Sequence, residues 1–319
     1  MKVKALLSAR SRSLLKVLEV KMSRLLLSSV LVALVAGLTL LACIPDPVEE
    51  EWLGKVGDEF RITDDAVEQH DPVFYNTENY NSIEEAQVAY HNGSSIYLYD
   101  IASKTTETLY QAPSGYTITT MCAIKTGGWS LGDLVIALSN TAECIVLRES
   151  DGTFTEIFND TGSMIDNIAI YKLQNGTLSM NLERGGEIFV FEDGILWDSF
   201  VGVEPSFDTE SICYYIGSYN GYDCIYIYHV GNYWFVYSDG SDLHCPIVVE
   251  DDILQTETFL TSDKDGDVDI YKLFPNNDEV SQVCNMDGVE NELSGWYKYV
   301  LFTRTVDGQT DVFIIRGDY

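Results

Sequence analysis

A repeating strand pattern is the feature that most constrains the fold of this 319-residue chain. Six segments pass from a short polar turn into a strand rich in Ile, Val, Tyr and Phe: HNG–SSIYLYD, SNTA–ECIVLRE, RGG–EIFVFED, SYNGYD–CIYIYHV, DKDGDV–DIYKLF and VDG–QTDVFIIR. Their marker positions are Ile96, Ile145, Ile188, Ile225, Ile270 and Val312, separated by 49, 43, 37, 45 and 42 residues. Repeats of roughly 40–50 residues with four short strands each are typical of β-propeller blades. The spacing predicts an all-β chain folded as a six-bladed β-propeller.

Two units show how four strands fit into each repeat. The first is predicted to contain, from inner to outer strand, DPVFY, AQVAY, SIYLYD and TETLYQ, and the fourth EPSFD, SICYYIG, CIYIYHV and NYWFVYS. The sixth unit ends after its third strand. We expect EFRIT, residues 59–63, to supply the missing outer strand, so that the two ends of the chain pair and close the ring.

These repeats carry the motifs of a known family. RITDDAVEQHDPVF, the pair DPVFY and AQVAY, and SDKDGDVDIY resemble the repeats of TolB-like, WD40-like propellers of the bacterial envelope. The resemblance spans residues 59–319; it is clear in the first, fifth and sixth units and weak in the second and third. It implies a propeller fold and an envelope location. Because such propellers serve as binding platforms and as enzyme domains alike, the resemblance leaves the function open.

The N-terminal segment has the composition of an export signal. Residues 1–42 hold seven of the 19 Lys and Arg residues and one acid, and their apolar run ends at Cys43. The sequence LLAC at this point resembles the lipobox of bacterial lipoproteins, in which the chain is cut before the cysteine and lipid, including palmitate, is attached to it. The alternatives are a retained membrane-spanning helix, for which about 20 apolar residues suffice, and a translation start at Met22.

The predicted domain organisation follows from these signals. We expect a lipoprotein signal peptide over residues 1–42, a lipidated acidic tether over 43–56 and the propeller over 57–319. The mature protein would be anchored to a bacterial membrane by lipid on Cys43 and would face the periplasm or the cell surface.

The charge of the exported part restricts its partners. Residues 43–319 contain 12 Lys and Arg against 49 Asp and Glu, a formal charge of −37. Nucleic acid and anionic membrane surfaces would be repelled, so neither is expected as a partner. The charge is interpreted as a solubilising surface, with a surface for cations or a basic partner as the alternative.

An aspartate-rich stretch raises the question of calcium. TSDKDGDVDIY places Asp263, Asp265, Asp267 and Asp269 at alternate positions, as the start of an EF-hand loop does. The glutamate that an EF-hand needs twelve positions from the first aspartate is absent, and the stretch occupies the place of a turn in the sibling units. We therefore predict a turn and no cofactor, with Ca²⁺ binding at these four aspartates as the alternative.

Six cysteines follow Cys43, and their even number suits disulfides in an exported protein. They are Cys122, Cys144, Cys213, Cys224, Cys245 and Cys284. Only Cys213 and Cys224 are predicted to pair, because they flank the SYNG turn on two neighbouring strands. The pairing of the other four is open, and no zinc spacing is present.

Histidines and acids recur where an outer strand leads into the next inner strand. Such links surround one mouth of the central channel, and the candidates for ligand binding there are His70, Asp71, Asp166, Glu204, His244 and Glu290. Converging carboxylates and imidazoles can hold a cation or perform acid–base chemistry. The interpretation favoured here is that they cap turns, and no catalytic motif supports an enzyme.

The aromatic residues allow two interpretations. Trp129, Trp197, Trp234 and Trp296 are expected to pack between blades, and a sugar- or peptide-binding surface is the alternative. The preferred function is a lipid-anchored platform that binds an envelope protein or peptide. The alternatives are a hydrolase or lyase acting on an extracellular polymer at an acidic channel mouth, and a structural or cation-buffering surface protein.

Overall fold

The computed structural model describes residues 58–317 except 65, 66, 76, 78–81, 127–130, 163, 209, 251–255, 275–278 and 285. The predicted signal peptide, tether and Cys43 lie outside the described residues, as does Trp129. Within those residues, no helix has the length and apolar character needed to cross a membrane.

Strands make up almost all of the regular structure, since the chain alternates short runs of β-branched and aromatic residues with polar turns. In chain order they are β1 Glu59–Arg61, β2 His70–Tyr75, β3 Gln87–His91, β4 Ser95–Asp100, β5 Thr105–Gln111, β6 Thr117–Lys125, β7 Leu131–Ser139, β8 Cys144–Ser150, β9 Thr153–Asp160, β10 Asn167–Lys172, β11 Leu178–Arg184, β12 Glu187–Glu192, β13 Ile195–Val201, β14 Val203–Phe207, β15 Cys213–Tyr219, β16 Tyr222–His229, β17 Asn232–Tyr237, β18 Leu243–Glu250, β19 Thr256–Ser262, β20 Asp269–Phe274, β21 Glu279–Gln282, β22 Val289–Trp296, β23 Tyr299–Val306 and β24 Gln309–Arg316. One 3-10 turn, Ile83–Glu85, precedes β3.

Hydrogen bonding groups the strands into antiparallel sets of four. β2 to β5, β14 to β17 and β18 to β21 are separate sheets in chain order. β6 to β9 and β10 to β13 are two further sets, joined into one eight-stranded sheet where Lys125 of β6 pairs in parallel with Tyr171 of β10. The six marker positions all fall on the third strand of a set, as the repeat predicts: Ile96 on β4, Ile145 on β8, Ile188 on β12, Ile225 on β16, Ile270 on β20 and Val312 on β24.

The remaining sheet joins the two ends of the described chain. Its order is β1–β24–β23–β22, and Phe60 of β1 lies opposite Ile314 of β24. The EFRIT segment therefore pairs with the last strand, as expected. Just beyond β1, Thr63 strengthens the junction, because its hydroxyl donates to Asp311 and accepts the Val312 N–H at 2.9 Å.

A buried arginine also ties β1 to this sheet. The guanidinium of Arg304, on β23, donates to both carboxylate oxygens of Glu59 at 3.0 and 2.8 Å and through Nε to Glu290 at 2.5 Å. Its Nη2 also lies 2.9 Å from Sγ of Cys284. Glu290 is completely buried, so this ion pair provides its neutralising charge.

The first strands of the six sets lie side by side around a cavity. Each of β2, β6, β10, β14, β18 and β22 contacts the next, and β22 contacts β2. Together they line a space of about 570 Å³. Apolar side chains fill the gaps between sets; for example, Phe74 of β2 packs on Trp296 of β22 with ring centroids 5.5 Å apart.

Two of the tryptophans expected in the core lie at the surface. Trp296 is buried, whereas Trp197 is 63% exposed and Trp234 is 49% exposed. Both exposed residues lie on the fourth strand of a set, β13 or β17, which has a strand neighbour on one side only. Apolar alternation within the sequence could not distinguish an inner strand from an outer one.

The predicted Cys213–Cys224 pairing is not supported by the strand register. Cys213 faces Tyr228, and Cys224 faces Gly217, so the two cysteines are four positions out of register. At about 3.3 Å per residue this offset is about 13 Å, beyond the reach of a disulfide. The six cysteines, all within the described residues, carry no disulfide bond.

The aspartate-rich stretch forms a turn between β19 and β20. Asp263 accepts a hydrogen bond from the Asp242 N–H at 2.9 Å, Asp265 accepts from the Tyr271 hydroxyl at 2.8 Å, and Asp269 opens β20 and is buried. These carboxylates point to different partners in the surrounding sheet, while Asp267 is exposed.

Candidate ligand-binding channel

Four of the strands that line the cavity share the same backbone irregularity in their first half. Asp71, Glu204, Cys245 and Glu292 have φ values of 45°, 54°, 48° and 52°. In each case the strand register shifts at this residue, which marks a β-bulge. Proline follows three of the four, where its missing N–H costs no ladder hydrogen bond. We call these positions the four bulges.

The bulges are joined by hydrogen bonds from one set to the next. The Asp71 N–H donates to Oε2 of Glu292 at 3.1 Å, and the Cys245 N–H donates to Oε2 of Glu204. A bulge removes an N–H from its own ladder, and a buried N–H without a partner is costly. The neighbouring carboxylate supplies the missing acceptor.

Two further carboxylate contacts extend this pattern around the channel. The Met121 N–H of β6 donates to Oδ2 of Asp71 at 3.0 Å, and the Glu204 N–H donates to Oε2 of Glu183 at 2.7 Å. The acids at this mouth therefore connect β22 to β2, β2 to β6, β11 to β14 and β14 to β18.

The histidines at the mouth pair with the same carboxylates. Nδ1 of His70 lies 3.0 Å from Glu292, and Nδ1 of His244 lies 3.3 Å from Glu204. These hydrogen bonds raise the pKa of both imidazoles above the usual value. His91 is buried, and its Nδ1 accepts the Gly93 N–H at 3.0 Å. Its proton is therefore on Nε2, which lies 3.3 Å from Asp71.

A lysine crosses the channel further along. Lys125, the last residue of β6, donates from Nζ to the carbonyl of Phe207 at 2.5 Å and to that of Val248 at 2.7 Å. Burial lowers the pKa of Lys125 to about 8, while Asp208 acts in the opposite direction. The protonated amine thus links three sets of strands across the cavity.

Several solved structures superpose on this arrangement of strands around a cavity. No family model and no curated protein matches the chain. Among solved structures, the tricorn protease superposes with a TM-score of 0.57 at 12% identity over 78% of this chain, which spans 25% of the protease. A putative TolB from Agrobacterium tumefaciens superposes with a TM-score of 0.51 at 13% identity over 71% of this chain and 87% of that one. The complex of BBS1N with ARL6DN gives 0.51 at 15% identity, covering 77% and 78%.

The fold is a β-propeller. At these identities the likeness concerns the fold alone, and it confirms the TolB-like propeller predicted from the repeats. The sets of four strands correspond to propeller blades, and the cavity lined by their first strands corresponds to the central channel.

The propeller brings together most of the residues predicted at the channel mouth. His70, Asp71, Asp166 and Glu204 line the cavity, and His244 contacts Glu204. The expectation for Glu290 is wrong, because this residue is fully buried against Arg304 and does not line the cavity.

Sequence reasoning missed Glu292, His91, Glu183 and Lys125. Glu292 could have been found by aligning ELSG with EPSF, since Glu292 occupies the bulge position of Glu204. The other three lie on strands whose sequences carry no motif that indicates a position at the channel mouth. Among the residues that the structure describes, no group of three His, Cys, Asp or Glu side chains is arranged to hold a metal ion.

Glu183 should make stability depend on pH. Burial, with the carboxylates of Glu204 and Asp166 adding to it, raises the pKa of Glu183 from 4.5 to about 7. A raised carboxyl pKa contributes stability that is complete below pH 4.5 and is lost as the pH rises through 7. Glu183→Gln removes this loss and keeps an acceptor for the Glu204 N–H. We expect the variant to match the wild type at pH 4.5 and to be more stable by about 1–3 kcal/mol at pH 8.

Denaturant unfolding at the two pH values checks this expectation. Glu192→Gln is the matched control, because Glu192 lies at the exposed end of β12 in the same sheet. It should change stability equally at both pH values. A Glu183→Gln variant with no gain at pH 8 would contradict the assigned cause.

Proposed function

We propose that this chain is a lipid-anchored protein of the bacterial envelope whose six-bladed propeller binds another protein or a peptide without catalysis. In this proposal strand β1 closes the ring as the outer strand of the sixth blade. Support comes from the resemblance of LLAC at Cys43 to a lipobox, from the repeats and from the pairing of β1 with β24. The proposal includes no cofactor.

The observation that carries the proposal is the use of the acids at the channel mouth. Asp71, Glu204 and Glu292 each accept a backbone N–H from a neighbouring blade, and the imidazoles pair with the same carboxylates. A general acid or base has to reach the proton that it transfers in the bound substrate. Carboxylates that already accept hydrogen bonds from neighbouring blades stabilise the contacts between blades and are not free to transfer a proton. This arrangement favours a binding scaffold over a hydrolase or lyase.

The proposed anchor leaves the propeller free to meet a partner at some distance from the membrane. Fifteen residues separate Cys43 from β1. At about 3.3–3.6 Å per extended residue they reach at most about 54 Å. The prolines and acids of this segment disfavour folding by themselves, which suits a tether.

Crosslinking in intact envelopes tests the proposal. The full-length chain should recover one or two proteins reproducibly, and the Cys43→Ala variant should recover them less efficiently, since it would no longer be held at the membrane. Recovery of no protein by the wild-type chain would contradict the platform. Turnover of an extracellular polymer that is lost in Asp71→Asn, a variant that keeps an acceptor at the bulge, would instead support the enzyme.

A further inference from the structure

The exposed apolar side chains of this propeller are concentrated in one region. Fifteen large apolar residues are exposed among the residues that the structure describes, and ten of them lie between positions 195 and 235. The centre of this region consists of Ile195 and Trp197 on β13 and Tyr233 and Phe235 on β17, exposed by 72%, 63%, 45% and 57%. We call these four residues the aromatic face.

The two strands of the aromatic face belong to neighbouring blades and contact each other. Phe200 of β13 packs edge-on against Tyr233 of β17, with ring centroids 5.5 Å apart. Asp198 of β13 accepts a hydrogen bond from the Tyr228 hydroxyl at 2.9 Å and also interacts with Tyr233. The register places Tyr233 and Phe235 on the same side of their blade as Tyr228, towards β13. In β13 the register places Ile195 on the same side as Asp198, and Trp197 is the unpaired residue of the β-bulge between them. Ile195, Tyr233 and Phe235 therefore flank the contact between β13 and β17, with the Asp198 carboxylate in the middle and Trp197 beside it.

Other outer strands of this propeller are polar where β13 and β17 are apolar. The exposed positions of β5 are filled by Thr, Glu and Gln in TTETLYQ, and those of β9 by Thr, Glu and Asn in TFTEIFND. An outer position thus does not by itself require Ile, Trp and Phe. β13 and β17 each stand last in their sheet order, so each offers a strand edge to which an extended segment can add.

The charge around the aromatic face selects the kind of partner. Residues 185–242, which include the whole face, contain ten Asp and Glu and no Lys or Arg. A second copy of this chain or an anionic membrane would bring negative charge against negative charge. A segment carrying Lys or Arg between its apolar residues would be attracted, and its cation would meet Asp198.

We propose that the aromatic face binds an extended segment of a partner protein in which apolar residues alternate with Lys or Arg. Such a segment lies along the exposed strand edges of β13 and β17. Its apolar side chains contact Trp197 and Phe235, and a basic side chain pairs with Asp198. This inference rests on the proposed function, because it assigns the platform a surface and a partner chemistry.

A defined peptide tests the proposal. The probe is an eight-residue peptide of alternating lysine and valine with blocked ends, and its binding to the full-length chain in detergent is measured by fluorescence at physiological salt. We expect Trp197→Ser/Phe235→Ser to weaken binding by about tenfold or more, since exposed aromatic anchors dominate such interfaces. Its charge equals that of the wild type, so a peptide held by net charge alone would bind both equally and would overturn the proposal.

Matched variants test whether peptide binding depends on the aromatic face or on apolar residues anywhere on the surface. Val289→Ser/Val306→Ser removes two apolar residues that are exposed by 48% and 44% elsewhere on the propeller, and it should bind like the wild type. Asp198→Asn should weaken binding and reduce its dependence on salt. A peptide of alternating glutamate and valine should not bind. Binding of that peptide as tightly as the lysine peptide would overturn the proposal, and so would a dimer of the chain that Trp197→Ser/Phe235→Ser abolishes.

The same double variant distinguishes failure of the face from failure of the platform. If the envelope crosslinking recovers the same partner with Trp197→Ser/Phe235→Ser as with the wild type, the platform stands and the aromatic face is rejected. If the wild-type chain recovers no partner yet binds the lysine peptide through the face, the platform is rejected and the face stands.

Discussion

Arg304→Met is expected to lower the free energy of unfolding by about 3–5 kcal/mol. Arg304 is buried and holds Glu59 of β1 and Glu290 of β22 together. Replacing it with methionine keeps much of the apolar volume but leaves the carboxylate of Glu290 inside the blade with no neutralising charge. Guanidinium unfolding followed by far-UV circular dichroism measures the loss.

The cause can be separated from general disruption of the core by a second substitution. Adding Glu290→Gln to Arg304→Met removes the buried charge and should recover part of the lost stability. Burial raises the pKa of Glu290 to about 7 even beside Arg304, which acts in the opposite direction. Without this cation the pKa should rise further, so the penalty of Arg304→Met should shrink as the pH falls. A penalty that is below 1 kcal/mol, or that does not change between acid and neutral pH, would mean that the ion pair does not hold this sheet together.

Asp71→Ala is the second large effect, with an expected loss of about 2–4 kcal/mol. The substitution removes the acceptor of the Met121 N–H and the partner of His91, and it leaves an alanine at a φ of 45°. Asp71→Asn is the matched control, because asparagine adopts positive φ readily and keeps one carbonyl acceptor. We expect the asparagine variant to lose about 1 kcal/mol.

Chemical unfolding of both Asp71 variants measures whether the Asp71 carboxylate contributes to the stability of the propeller. Equal stability of Asp71→Ala and the wild type would show that the contact from Asp71 to the neighbouring blade contributes nothing. The carboxylates of the channel mouth would then not be structural, and the enzyme hypothesis would gain weight.

The strand pattern was predictable because each blade repeats the same local physics. Polar turns, five of the six with Gly, are followed by β-branched and aromatic residues and predict the six third strands. DPVFY and EPSFD are inner strands, β2 and β14, as expected. Even the pairing of residues 59–61 with β24 could be predicted, since a blade with three strands leaves an unpaired edge.

What the sequence could not supply was the side-chain register near irregular backbone. The bulges in the inner strands shift the facing partner by one residue, so Glu292 rather than Glu290 reaches the mouth. The turn between Cys213 and Cys224 predicts that they form a disulfide, but the strand register places each of them opposite another residue. Trp197 looked like a core residue because its strand is as apolar as an inner strand, although it lies on the outer edge.

The pairing of β1 with β24 has a consequence for the timing of folding. Arg61 and Asp311, which meet there, are 250 residues apart in the chain. Closing a loop of this length costs about 5 kcal/mol in chain entropy before any contact compensates for it. During synthesis, the last sheet cannot assemble until the C-terminal strand has emerged from the ribosome. The propeller is therefore built to complete its fold only after strand β24 has been made, so the sheets formed earlier wait in an open ring.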